Sequence, residues 1–452
     1  MSKTPRSPHP THRPTVPWTG STTDQARFSR GQFLLHLRPG RVPVASLRWR
    51  RTMGLGGSAL VMLLLILLTG TLQLLVYQPS LDGAFSSVQG LESSIPFGDL
   101  IRGIHYWSAN ALLLIIGLHL LRVVLTGAFG DIRRTNWMIG LGLLSLVLAA
   151  SFTGYLLPLD QRAWWAVTVS THMLDLVPIV GSGLRRIALG AQSIEEITLV
   201  RFAAFHTAIL PVLLAGLVGW HFWRVRRAGG IATPEENTGE SEAASGAATT
   251  RVAFFPHLFV RELGQASLLV AAIFLLAAIF GAPLGDPANP GLSPNPVKAP
   301  WYFVGSQELL IHVHPLLALV VLPGLTLAAA LALPRLAPAQ AGVWFYSRTG
   351  RSTALTAAAM ALVITPALIL LSNSLALERS GWLSGTLLPL AILAFCLVVG
   401  GLVLRRLHRP GRTELALAAV SAVIVAHVVL TLTGQFLRGA DMALVWPWLW
   451  PW

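Results

Sequence analysis

Nine stretches of this chain are apolar for about 20 residues or longer, the length an α-helix needs to cross roughly 30 Å of hydrocarbon. They fall near 54–77, 100–127, 137–157, 199–222, 264–283, 314–334, 352–373, 384–404 and 413–434. A bilayer offers no water to unpaired backbone N–H and C=O groups, so segments of this kind cross as helices. Charged residues make up 12% of the chain, against about 25% in a soluble domain. The net charge of +14 would in a soluble protein suggest nucleic acid. Here the basic residues lie between the apolar runs, where they read as membrane-flanking charge. The expected fold class is therefore an all-α polytopic membrane protein, with a lipid bilayer and no nucleic acid as partner.

Basic-residue counting orients the spans. With the N-terminus in the cytoplasm, 24 of the 33 Lys and Arg fall on the cytoplasmic side and 6 on the other, in keeping with the positive-inside rule. The remaining three, Arg102, Arg122 and Arg201, lie within spans. Residues 1–40 lack an apolar core of signal-peptide length, so no cleaved leader is expected. Within this cytoplasmic tail, 26–37 has the pattern of a surface helix. A Gly/Ala/Glu/Thr-rich stretch, 229–250, reads as a flexible linker between a four-span module (41–228) and a later part. That part divides into 251–350 and a remainder, 351–452, with further spans and a C-terminal tail. Two long outer loops, 158–198 and 284–313, are expected to carry surface helices or function.

Histidine spacing narrows the chemistry. The second span contains His105 and His119, fourteen apart, and the fourth contains His206 and His221, fifteen apart. At 100° per residue each pair returns to roughly one helical face, about 21–22 Å apart along the axis. Both spans run from outside inward, so His105 can face His206 at one depth and His119 can face His221 at another. Imidazoles inside a bilayer are costly and usually functional. With no thiolate or carboxylate beside them to suggest zinc or a di-iron centre, the two pairs suit two b-type haems, each with bis-histidine iron. The single cysteine, Cys396, excludes a disulfide framework, an iron–sulfur cluster and c-type haem attachment.

Two further sets of residues share this spacing or neighbourhood. Gly56 and Gly70 in the first span, and Gly140 and Gly154 in the third, are each fourteen apart. Glycines so spaced would leave flat slots where porphyrin edges approach the backbone; small-residue helix packing is the ordinary alternative. Arg102, Arg122, Arg201 and Arg226 lie close to the histidines in sequence. A guanidinium at that depth needs an anion, and a haem propionate is a suitable one. For Arg226 an anchoring role shared with Arg224 and Arg227 serves as well.

The run Gly154-Tyr155-Leu156-Leu157-Pro158-Leu159-Asp160-Gln161, then Pro178–Ser182, Arg201–Thr207, Leu210-Pro211 and His221-Phe222, resembles the cytochrome b family of quinol-oxidising bc-type complexes. The histidine spacing of fifteen resembles the cytochrome b6 branch most closely. Pro294-Asn295-Pro296 and Ala299-Pro300-Trp301-Tyr302-Phe303 are similar to the Pro-Glu-Trp-Tyr region of that branch's companion subunit, fused here to the first module. The resemblance implies a four-helix dihaem bundle followed by about five further transmembrane helices. It also implies quinol oxidation on the outer side near Tyr302, coupled to proton translocation and shared with a Rieske iron–sulfur protein and a c-type cytochrome. Further implications are a quinone pool, a homodimer and a bacterial cytoplasmic membrane.

Three positions depart from that pattern. Pro300 stands where the family has its glutamate, which leaves Glu308 and Asp160 as nearby carboxylates for a proton, with His312 and His314 as further neighbours. Tyr106 replaces the second arginine of the second span. Gly54 occupies the place of the cysteine that attaches an extra haem, so a third haem is open only in unattached form. A dihaem anchor joining the quinone pool to a peripheral dehydrogenase would need the histidines but not the outer motifs. A cofactor-free transporter would leave the histidine pairs unexplained.

Overall fold

The computed structural model describes residues 41–47, 49–228, 230–231, 251–336, 345–375 and 381–446. The tail through residue 40 and nearly all of the 229–250 linker lie outside these, so the surface helix and the hinge do too. Among the described residues, nine helices are long and apolar enough to cross a membrane. The first four are α1 (Leu55–Leu74), α3 (Gly98–Leu125), α4 (Arg134–Leu156) and α7 (Glu196–Arg227), with a short α2 (Ala84–Ser94) between the first two. The later five are α8 (His257–Phe280), α10 (Leu317–Leu336), α11 (Arg348–Leu375), α12 (Trp382–His408) and α13 (Arg412–Phe436). The outer loops supply α5 (Gln161–His172), α6 (Gly181–Leu189) and α9 (Trp301–Leu310), as their length suggested.

Among the described residues the protein is thus all-helical and polytopic, apart from one small antiparallel pair, β1 (Arg41–Pro43) with β2 (Arg251–Ala253). Many large apolar side chains on the spans, such as Leu68, Val212, Leu268, Val363 and Phe395, are exposed. In a membrane those faces meet acyl chains. Buried Met62, Leu112, Ile115, Val147, Leu214 and Ile273 join α1, α3, α4, α7 and α8 in one core.

The fifth span departs from the expected 264–283. It begins at His257, because the polar turn continues as helix: Arg261 donates to the Leu47 carbonyl and Gln265 Nε2 to the Met53 carbonyl at 2.7 Å. Hydropathy does not register a helical turn whose polar side chains are satisfied by neighbouring backbone. The span stops at Phe280 because Gly281 takes a left-handed φ of +59°, a conformation that favours glycine, with Pro283 soon after.

Two spans open with a widened π turn just ahead of a proline, and α7 contains one after its first nine residues. These turns are Phe205–Ile209 before Pro211, Leu317–Val321 before Pro323 and Trp382–Leu387 before Pro389. Proline has no N–H and its ring clashes with the carbonyl four residues earlier; widening the preceding turn relieves both. His206 sits in the first of these turns, and single π turns of this kind often mark functional positions.

The two outer loops are tied together at Asp160. Its Oδ1 accepts from Ala163 N at 2.8 Å, capping α5, and its Oδ2 accepts from Gly285 N at 2.8 Å in the other loop. Gln161 N donates to the Asp286 carbonyl at 2.8 Å, and the Trp165 indole to the Asn289 carbonyl at 3.2 Å. Replacing Asp160 by alanine removes a cap and an inter-loop bond together. It should lower stability by about 1–3 kcal/mol, read as a lower unfolding midpoint, with limited proteolysis appearing first in residues 284–300.

Candidate functional site

The four histidines meet as their spacing implied. The rings of His105 and His206 lie 6.2 Å apart between centroids, and those of His119 and His221 lie 6.4 Å apart. Imidazole–metal bonds are about 2 Å long, so each gap has room for one metal atom between two ring nitrogens. On the outer pair, His105 Nδ1 is 3.1 Å from Thr69 Oγ1 and His206 Nδ1 is 3.0 Å from the Ala150 carbonyl. These contacts orient the rings and leave Nε2 free, the usual arrangement behind a metal-bound histidine. Among the described residues no group of three or more His, Cys, Asp or Glu could hold a metal ion. Each pair offers only two donors, so an iron there would take its other ligands from a macrocycle. The residues present fit haem.

Each glycine faces one histidine. A Cβ on Gly154 would stand 2.4 Å from His206 Cε1, and one on Gly70 would stand 3.1 Å from His105 Cε1. On the inner pair the gaps are 3.8 Å, from Gly56 to His119 and from Gly140 to His221. At all four positions the nearest atoms are imidazole atoms of the paired histidines, in close contact at Gly154 and Gly70 and at ordinary contact distance at Gly56 and Gly140.

The arginines divide. Arg122 lines a cavity of about 120 Å³ beside His119 and His221, with Arg133, Asn136, Trp137 and Gly140. Arg102 is buried close to His105 in sequence, but it pairs with Glu92 of α2 and donates to the Ala282 and Pro283 carbonyls at 2.8 and 2.9 Å. An outer anion would have to share or displace those partners. Arg201 is exposed and packs against Gly190, and Arg226 is half-buried and does not line the cavity. Arg133, absent from the sequence reading, also caps the end of α7 through the Ala228 and Gly230 carbonyls, each at 2.9 Å. Its signal was periodicity, because residues 133, 136, 137, 140 and 144 fall on one helical face.

At the end of the bundle that carries the 158–198 and 284–313 loops, a narrow cleft is lined by Phe152 and Tyr155 of α4, Ala166, Val167 and Ser170 of α5, and Pro300, Tyr302 and Phe303 at the start of α9. It holds about 10 Å³, the space of one water, so a ring can enter only if an aromatic side chain swings aside. Burial pushes the Tyr302 phenol far above its ordinary range, helped by the nearby phenols Tyr155 and Tyr106. Tyr302 therefore stays protonated and can donate. Trp301 is fixed by an indole bond of 2.7 Å to Asn110 Oδ1 on α3.

Neither carboxylate opens into the cleft. Asp160 is spent on the loop bonds above. Glu308 is fully buried, accepting from Arg438 Nη2 at 2.6 Å and Nε at 2.9 Å, with His312 Nε2 at 3.0 Å. Burial alone would raise its pKa. The bonds from His312 and Arg438, and their charge, outweigh burial and hold it below the ordinary glutamate value. A depressed folded-state value gives stability that is present above the unfolded pKa of about 4.3 and lost as pH falls through the folded one. Acid unfolding followed below about pH 4.3 should show this component, and Glu308→Gln should lack it. His314 is turned elsewhere, stacked on Trp382 at 5.6 Å.

The cytochrome b/b6/petB family model matches residues 43–229. A solved chain described as "Hyperthermophilic respiratory Complex III" shares the fold with a TM-score of 0.60 at 24% identity, over 84% of this chain and 90% of that one. The matched segment holds α1, α3, α4 and α7 with all four facing histidines, so residues 43–229 form a module similar to the cytochrome b/b6 family.

Proposed function

We propose that this chain is the cytochrome b subunit of a quinol:cytochrome c oxidoreductase. It would oxidise quinol on the outer side, carry electrons across the membrane through two b haems and couple this to proton translocation. One observation carries the reading: Phe152 and Tyr155, which line the outer cleft, flank the glycine that faces His206. A quinol ring in that cleft would lie next to the outer ligand pair.

When bound, the haems supply one-electron carriers at two depths; the redox chemistry is theirs. The chain's own residues hold and orient. His105 with His206 and His119 with His221 would hold the iron of each haem, and Thr69 and Ala150 fix the outer rings. Arg122 provides positive charge beside the inner pair. Tyr302 and Tyr155 offer phenol donors to a quinol oxygen, while Phe152, Phe303 and Val167 keep the cleft apolar and dry. Tyr302→Phe should weaken quinol oxidation about tenfold, the scale of one buried hydrogen bond, without change in haem content.

The partners on this reading are a Rieske iron–sulfur protein, a c-type cytochrome and the quinone pool. The setting is a bacterial cytoplasmic membrane with the N-terminus inside, and the assembly is a homodimer. A redox-titrated optical difference spectrum of the purified protein, with haem extracted and counted per chain, tests the reading. Two b-type haems of separated potential support it, and a colourless protein would sink it.

A further inference from the structure

The last span and its tail pack on α9, the helix whose first turn lines the cleft. α13 packs along α9 through two glycines: Gly305 faces His427 and Thr431, and a Cβ on Gly434 would stand 3.1 Å from the Val304 carbonyl. Two residues past α13, Arg438 is 1% exposed and closes on Glu308, which is 0% exposed. Its Nη1 donates to the Met442 carbonyl at 2.9 Å, which holds the tail in place. His312 completes the cluster, with Nδ1 3.0 Å from Ser372 Oγ at the end of α11. With its proton on Nε2, His312 donates to Glu308 and accepts from Ser372. That tautomer leaves its 3.3 Å approach to Arg438 Nη2 as proximity only.

We propose that Arg438 is a positioning residue for the outer cleft, fixing the rotation of α9 through Glu308 so that Tyr302 and Phe303 line the cleft. The inference rests on the quinol-site reading above. Its physical basis is the shape of α9. Ten residues are too few for a helix to be stable by itself in water, so tertiary contacts must set its orientation. Tyr302 and Glu308 are six residues apart, about 240° around the axis and 9 Å along it. One face therefore lines the cleft while another carries the buried carboxylate. Any turn of α9 that moves Tyr302 also pulls Glu308 off the guanidinium fork, leaving two charges unpaired in a dry place, which is strongly unfavourable. The cap at the start of α9, where Gln307 bonds Ala299 N and the Val297 carbonyl at 2.7 Å each, holds its entry but does not lock its far end. Glu308 acts as an anchor on this account, because both of its oxygens are taken and it faces away from the cleft.

The test uses the purified complex with quinol and its cytochrome acceptor, with rates taken per haem. Arg438→Gln should lower kcat/KM for quinol by about 10²-fold, the effect of a misplacement near 1 Å, with a raised KM and an unchanged haem spectrum. Glu308→Gln/Arg438→Gln, which leaves no unpaired charge, should recover part of the loss. If Arg438→Gln fails to accumulate, Arg438→Lys carries the test. Lysine keeps the charge but loses the two-pronged fork, so kcat/KM should fall while haem content holds. Wild-type kinetics per haem in either single variant would overturn the positioning role and leave the quinol-site reading intact. A wild-type complex that binds haem but does not oxidise quinol would overturn both.

Discussion

Replacing His105 or His206 with alanine is expected to remove the outer haem and abolish quinol oxidation, with the inner haem kept. The rings face each other 6.2 Å apart on α3 and α7, and no other His, Cys or carboxylate among the described residues joins them into a larger donor set. A lost imidazole therefore has no neighbour to replace it. Haem extracted per chain should fall by about one half if two haems are bound, and the surviving optical band should belong to the inner pair. His119→Ala or His221→Ala should give the converse spectrum, since the two pairs lie about 21–22 Å apart along their helices. Loss of both haems from a single outer substitution would show that the two sites fold as one unit.

The second large effect is expected at Gly154. An alanine Cβ there would stand 2.4 Å from His206 Cε1 and 2.8 Å from Nδ1, against about 3.5–4.0 Å for carbon atoms at rest. The ring cannot yield freely, because its Nδ1 is held by the Ala150 carbonyl on the same face of α4. Either α4 and α7 separate or His206 leaves its line with His105. Overpacking of this size costs about 1–3 kcal/mol, and here the cost falls on a haem ligand, so Gly154→Ala should lose or distort the outer haem band. The four glycines give a graded series. Gly70→Ala, with a 3.1 Å contact to His105, should have an intermediate effect, whereas Gly56→Ala and Gly140→Ala, at 3.8 Å, should be nearly silent. Equal effects at all four positions would show that the glycines serve helix packing in general and not the ligand rings.

Much of this protein is legible along the chain because a bilayer imposes local rules. Each span must satisfy its own backbone and present apolar side chains to lipid, so hydropathy alone locates nine helices, and the helical period alone brings His105 to His206 and His119 to His221. Gly56, Gly70, Gly140 and Gly154 follow the same period, and each faces one of the four imidazoles. What the tertiary structure decided is the pairing of polar groups across long separations. Asp160 and Glu308 read in sequence as free carboxylates near a quinol site. In the fold Asp160 binds Gly285 across 125 residues, and Glu308 binds Arg438 across 130. Arg438 itself reads only as a lone basic residue after the last span. No local pattern announces such pairs, because a buried charge takes whichever partner the packing brings within reach, and its cost is settled by that partner rather than by its neighbours in the chain.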